Sequence, residues 1–132
     1  MKLDYDIIKA FLNGFQDSKK PTLNTLEVFT SLNYDHNVKT DFNLVWHYLK
    51  LLNDQNLIEC IGDNNGDLGI SFTGSGEPII SVKHFRLTML GHQALEAMNN
   101  NKVWEKIKSG VDKIGIAGLK QIPGLAIKIL TE

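Results

Sequence analysis

The chain has 132 residues, 42% of them hydrophobic and 22% charged, with a formal net charge of −1. That is enough chain for one domain with a single buried core, and the one cysteine, Cys60, excludes an internal disulfide. No stretch approaches the roughly 18 apolar residues of a membrane span, and the opening MKLDYDIIKAFLNGF is too interrupted by acids and polar residues for a secretory signal. The expectation is a soluble protein in a reducing, cytoplasmic setting, with Cys60 a small buried hydrophobe.

The charge is unevenly spread. Residues 1–60 carry a net −2, residues 61–98 another −2, and residues 99–132 a net +3. A nucleic-acid binder usually shows a basic face, and here the only basic excess lies in the last quarter.

Asp4 to Phe15 reads as a first helix, with Ile7, Ile8, Phe11, Leu12 and Phe15 on one apolar stripe and Asp4 or Asp6 favouring its N-terminal dipole. After the polar break Asp17–Pro21, Asn24 or Thr25 can cap a short second helix whose Leu26, Phe29 and Leu32 face inward. A third helix starts near Thr40 or Asp41, either of which can cap it. Its apolar face is Val45, Tyr48, Leu49 and Leu52, widened by Leu44 and Leu51, while Asn43, His47, Lys50 and Asp54 fall on the opposite side. Asn56 suits a left-handed helix end, and Leu57–Ile61 reads as a strand.

Turn signals at Asn65-Gly66 and Gly74-Ser75-Gly76 then separate two strand-like pieces, Leu68–Phe72 and Ile79–Leu87. Gly74-x-Gly76 lies between strands, so it is no nucleotide loop, which would join a strand to a helix. Thr88 can cap a helix over Met89–Met98 that buries Leu90, Ala94, Leu95 and Met98, and Gly91 permits close approach of helix and sheet. Val103, Trp104 and Ile107 mark another helix ending near Gly110. Further apolar residues up to Leu130 make a tail that Pro123 should interrupt.

Three helices with short breaks, the third running as His-Tyr-Leu-Lys-Leu-Leu into a turn and Leu-Ile-Glu, resemble the third helix and first wing strand of winged-helix proteins. The expected fold is therefore α+β: a winged helix-turn-helix of three helices plus a β-wing over residues 1–98, with a helical C-terminal extension, 99–132, packed on the same domain. The run from His84 to Trp104, with Leu87-Thr88-x-x-Gly91-His92 as its most specific part, is similar to a bacterial family frequent in prophages and other mobile elements and known only as a domain of unknown function. The N-terminal Met-Lys-x-Asp-Tyr-Asp-x-Ile and the third helix are similar to it too. The resemblance implies a winged-helix-like core and no activity.

By analogy with that fold, Asn43, His47 and Lys50 are candidate DNA readers, since Asn can pair with adenine and Lys with guanine in the major groove. Thr40 would meet a phosphate at the helix start, and the plain alternative is a solvated face. Trp46 beside them is either an exposed anchor for a protein partner or leans on a neighbouring helix or the wing. His36, His47, His84 and His92 are not paired at i+3 or i+4, and Cys60 lies on another element, so no metal or other cofactor is expected. No nucleophile, paired carboxylates or phosphate loop marks an enzyme. The lysines of the tail alternate with apolar residues, which leaves three roles for it: packing on the core, a homodimer contact through the C-terminal helices, or a membrane surface, the last disfavoured by Glu105, Asp112 and three glycines. Two functions follow: a small DNA-binding transcriptional regulator from a mobile element, reading double-stranded DNA; or a winged helix reused as a protein-interaction module, such as an adaptor or an inhibitor of a host protein.

Overall fold

The computed structural model describes residues 4–62, 68–109 and 121–131. In chain order these form α1 (Tyr5–Asp17), β1 (Leu23–Asn24), α2 (Thr25–Ser31), α3 (Lys39–Asp54), β2 (Ile58–Ile61), β3 (Ile70–Phe72), β4 (Pro78–Ile80), β5 (His84–Leu87), α4 (Met89–Met98), α5 (Asn101–Ser109) and α6 (Ile122–Thr131). The fold is α+β, with six helices and two small antiparallel sheets among the described residues. The expected Asn65-Gly66 turn, the end of α5 at Gly110 and the apolar residues Val111, Ile114 and Leu119 lie outside those residues.

Local chemistry accounts for most of the element starts. Asp4 caps α1, its Oδ1 accepting from the amides of Asp6 at 2.9 Å and Ile7 at 3.4 Å. Asn24 caps α2 in a reciprocal box: the Glu27 amide donates to Asn24 Oδ1 at 2.9 Å and the Asn24 amide to Glu27 Oε1 at 3.1 Å. Lys20 pairs with the same Glu27, and that contact, followed by the Asn24 amide, holds the carboxyl below its usual range. Thr88 caps α4, accepting from the Gly91 amide at 3.0 Å.

The third helix departs from expectation. It begins at Lys39 behind Val38, and no side chain caps it. Thr40 and Asp41 sit inside its first turn, and the Asp41 carboxylate instead accepts from the Asp35 amide at 3.0 Å, tying down the preceding turn. The earlier start also brings Phe42 into the core, beside Phe29 at 6.0 Å between ring centres. In α2 the inward residues are Thr25, Val28 and Phe29, with Leu32 partly buried behind them, whereas Leu26 is 38% exposed; it falls beside the i, i+3, i+4, i+7 stripe that the others form.

Strand β5 lies at the middle of a three-stranded sheet ordered β1-β5-β2, pairing Leu23 with Phe85 on one side and Cys60 with Phe85 on the other. The expected strand Ile79–Leu87 is broken in two. Its first part, β4, pairs with β3 in a separate hairpin (Ile70 with Ile80, Phe72 with Pro78), and Ser81–Lys83 carries the chain across to the main sheet. The hairpin tip is the expected turn: the Thr73 amide donates to Glu77 O at 2.8 Å and the Gly76 amide to Thr73 O at 2.9 Å.

One buried cluster runs from Tyr5 and Phe11 through Val45, Leu52, Phe85 and Leu95 to Ile122 and Ala126. Helix α4 packs against α1, and α6 is seated on α4 and α5. Cys60 is buried, Asn56 takes φ of 60° at the end of α3, and no described helix is long and apolar enough to cross a membrane.

Candidate nucleic-acid interface

The inner side of α3 is fixed by Phe42, Val45, Tyr48, Leu49 and Leu52, each 1% exposed or less. At 3.6 residues per turn this commits Thr40, Asn43, His47 and Lys50 to a stripe on the other side. Thr40 and Lys50 are exposed, and Asn43 and His47 are half-buried. The ring of His47 meets Tyr48 edge-on at 5.2 Å. Tyr48 in turn accepts from the Asp4 amide at 3.0 Å, and burial raises its hydroxyl pKa above the ordinary value. The stripe thus stands on a helix anchored to the start of α1.

Two further features belong to this face. Lys39 is exposed at the helix start, one turn before Asn43. Placing the start at Thr40 or Asp41 leaves Lys39 out of the helix, although its spacing from Asn43 is the signal that would have included it. The first amides of α3 also lack a side-chain cap, although the Asp41 carboxylate in the same turn offsets part of the positive dipole there.

Trp46 leans on the β3–β4 hairpin. Its ring meets Phe72 edge-on at 5.8 Å, and Phe72 also meets Phe42 at 5.6 Å. Phe72 nonetheless remains 42% exposed, so the two rings form a ledge rather than a core contact. Lys50 Nζ stands 6.0 Å from the Trp46 ring centre, within cation–π range. Beside this ledge a groove of about 350 Å³ is lined by Trp46, His47, Lys50, Leu51, Asp54 and Gln55. No local pattern links Phe72 to Trp46, because the contact depends on where the hairpin folds back.

The hairpin is positioned by a polar joint that the sequence pattern does not show. Thr25 is fully buried; its hydroxyl accepts from the Lys83 amide at 3.0 Å and lies 3.3 and 3.4 Å from the carbonyls of Ser81 and Lys83. The Ser81 amide donates to Gly69 O at 2.7 Å. Gly69 has φ of +83°, and a Cβ there would stand 2.2 Å from Ser81 O and 2.6 Å from the Thr25 hydroxyl, so only glycine fits.

Among the described residues no group of three or more His, Cys, Asp and Glu side chains could hold a metal. His36 lies edge-on to Phe29 at 6.1 Å, His84 pairs with Asn24 and Ile61 in the sheet, and His92 is exposed on α4.

Residues 2–117 match the family model described as a hypothetical protein, DUF2513. No curated protein and no solved structure matches the chain.

Proposed function

We propose that this chain, which belongs to the DUF2513 family, is a winged-helix protein that binds double-stranded DNA through α3. The order α1-β1-α2-α3-β2, the return through β5 to the middle of the sheet, and the β3–β4 hairpin in the place of a wing support the winged-helix reading. The observation that carries the DNA reading is the open stripe on α3: Lys39, Thr40, Asn43, His47 and Lys50 face solvent in whole or part, while α6 seats itself on α4 and α5. Asn43 offers a bidentate pair to adenine, Lys50 a donor to guanine, and the uncapped helix start with Lys39 and Thr40 a phosphate contact. Regulation of transcription, in a prophage or other mobile element, is the role that suits such a reader.

The charge on this face is modest, so base contacts must supply much of the affinity. Fluorescence anisotropy with random and native-locus duplexes across a salt series tests the reading. Locus-preferring binding with a shallow salt slope, on the order of −2 to −3 for two or three phosphates, is expected. Lys39→Ala should reduce that slope by about 1, and Asn43→Ala should cost about 1–3 kcal/mol and relax the sequence preference. Absence of binding at about 50 mM salt sinks it.

The Trp46–Phe72 ledge supports a second reading, a protein-interaction module, because a half-open aromatic pair is the kind of anchor that protein interfaces use. Loss of a captured partner on Trp46→Ala, with DNA binding absent, would favour it.

A further inference from the structure

Asp54 is the last residue of α3 and has no structural partner. It is exposed, and among the described residues its side chain accepts no hydrogen bond and joins no ion pair. A carboxylate in a last helical turn also faces the negative end of the dipole, so it does not stabilise the helix that carries it. Lys50 precedes it by four residues, the less favourable order for an ion pair within a helix. The two do not pair: Lys50 Nζ stands over the Trp46 ring instead, 6.0 Å from its centre. A cation and an anion are left open one turn apart, on the same groove of about 350 Å³.

The place of Asp54 on the helix says more than its exposure. At 3.6 residues per turn it falls between His47 and Lys50 on the stripe that begins at Asn43. A duplex met by Asn43 and Lys50 therefore meets Asp54 as well, about 6 Å further along the helix axis than Lys50. That is one to two base-pair steps of about 3.4 Å. A carboxylate has only acceptors to offer, and the major groove answers with two donors, N4 of cytosine and N6 of adenine. Adenine sets its N7 acceptor beside N6, where the second carboxylate oxygen repels it. Cytosine sets only a C–H there. Guanine and thymine present acceptors and a methyl group, and no donor.

We propose that Asp54 is a specificity-determining residue for DNA, accepting from N4 of a cytosine beside the guanine that Lys50 meets. The proposal rests on the reading of α3 as the DNA-binding helix and adds a base that neither Asn43 nor Lys50 chooses. It also lets the stripe reject as well as select, because opposite guanine, thymine or a phosphate the same carboxylate meets only acceptors.

Selection from a randomised double-stranded DNA pool, run in parallel with the wild-type chain and Asp54→Asn, tests it. Asparagine keeps the size of the side chain, and its amide can donate to N7 and accept from N6 of adenine. Both proteins should therefore select the same sequence except at one base pair, cytosine for wild type and adenine for the variant. Fluorescence anisotropy on the two duplexes should show a preference of about tenfold in each direction. The position is an exposed helix end, so circular dichroism and the urea midpoint should stay close to wild type. If Asp54→Asn tightens binding to every duplex alike and selects an unchanged sequence, the carboxylate merely repels phosphate, and the inference falls while the DNA reading stands. If neither protein selects any sequence or binds any duplex, the DNA reading falls and this inference with it.

Discussion

The joint between α4 and β2 and the joint that carries the β3–β4 hairpin do the same mechanical task with a different balance of backbone and side-chain contacts. At the first, backbone meets backbone. The Thr88 amide donates to Leu57 O at 3.1 Å, the Thr88 hydroxyl donates to Asn56 O at 2.6 Å, and a Cβ on Gly91 would stand 2.0 Å from that same Leu57 oxygen. The last helix turn of the sheet region is thereby set with no slack. At the second, the buried Thr25 hydroxyl, a backbone bond from the Thr25 amide to Lys83 O at 2.9 Å, and the edge-on contacts of Phe72 with Trp46 and Phe42 hold a hairpin of three-residue strands whose outer surface is largely exposed. The core joint is closed on all sides, whereas the hairpin keeps Phe72 half-open beside the α3 face.

Breaking the rigid joint should have the largest effect. Gly91→Ala drives a methyl into the Leu57 carbonyl, which cannot withdraw without pulling β2 off β5. A loss of about 3 kcal/mol or more is expected in urea denaturation, and a loss below about 1 kcal/mol would show the joint to be softer than its geometry.

The hairpin joint should break in a smaller and more local way. Thr25→Val keeps the shape but leaves the Lys83 amide without its side-chain acceptor in a buried setting, at a cost of about 1–3 kcal/mol. Phe72→Ala, at a half-exposed position, should cost less, about 1 kcal/mol. Its signature is optical: Trp46 loses its edge-on neighbour and its emission should shift to the red, while Trp104, 8% exposed and far from the hairpin in sequence, is unchanged. An unshifted spectrum would mean that the ledge does not hold the hairpin.

The same contrast explains what was legible in the sequence. The rigid joint is local in its signals. Asn56 before a strand, Thr88 before an apolar helix and Gly91 three residues on all announce themselves by spacing, and all three act as read. The α3 stripe was legible as well, because the buried side of a long helix determines the other side. The hairpin joint was not. Thr25 and Lys83 are 58 residues apart, and nothing near either residue signals a buried hydroxyl. The long strand Ile79–Leu87 looks continuous because no glycine, proline or asparagine interrupts it, although its apolar positions switch from Ile80 and Val82 to Phe85 and Leu87, a change of face at Lys83-His84 that marks the crossing. The start of α3 was misplaced for a related reason: Thr40 and Asp41 are good caps in isolation, but the turn Asp35–Val38 claims the Asp41 carboxylate first.

The smallest expected effect lies at the start of α2, where the cap and a surface ion pair share one side chain. Glu27→Gln keeps the acceptor that the Asn24 amide needs and removes only the charge that Lys20 meets. Because the folded carboxyl titrates below its ordinary range, its contribution is fully present above the unfolded value and is lost as pH falls through the lower folded one. Both partners are solvent-accessible, so the difference from wild type should be under about 1 kcal/mol near neutrality and shrink with added salt. It should also vanish in acid, once the pH is below the lowered folded value and the carboxyl is protonated in either state. No difference near neutrality would assign the role of Glu27 to the helix cap alone and not to Lys20.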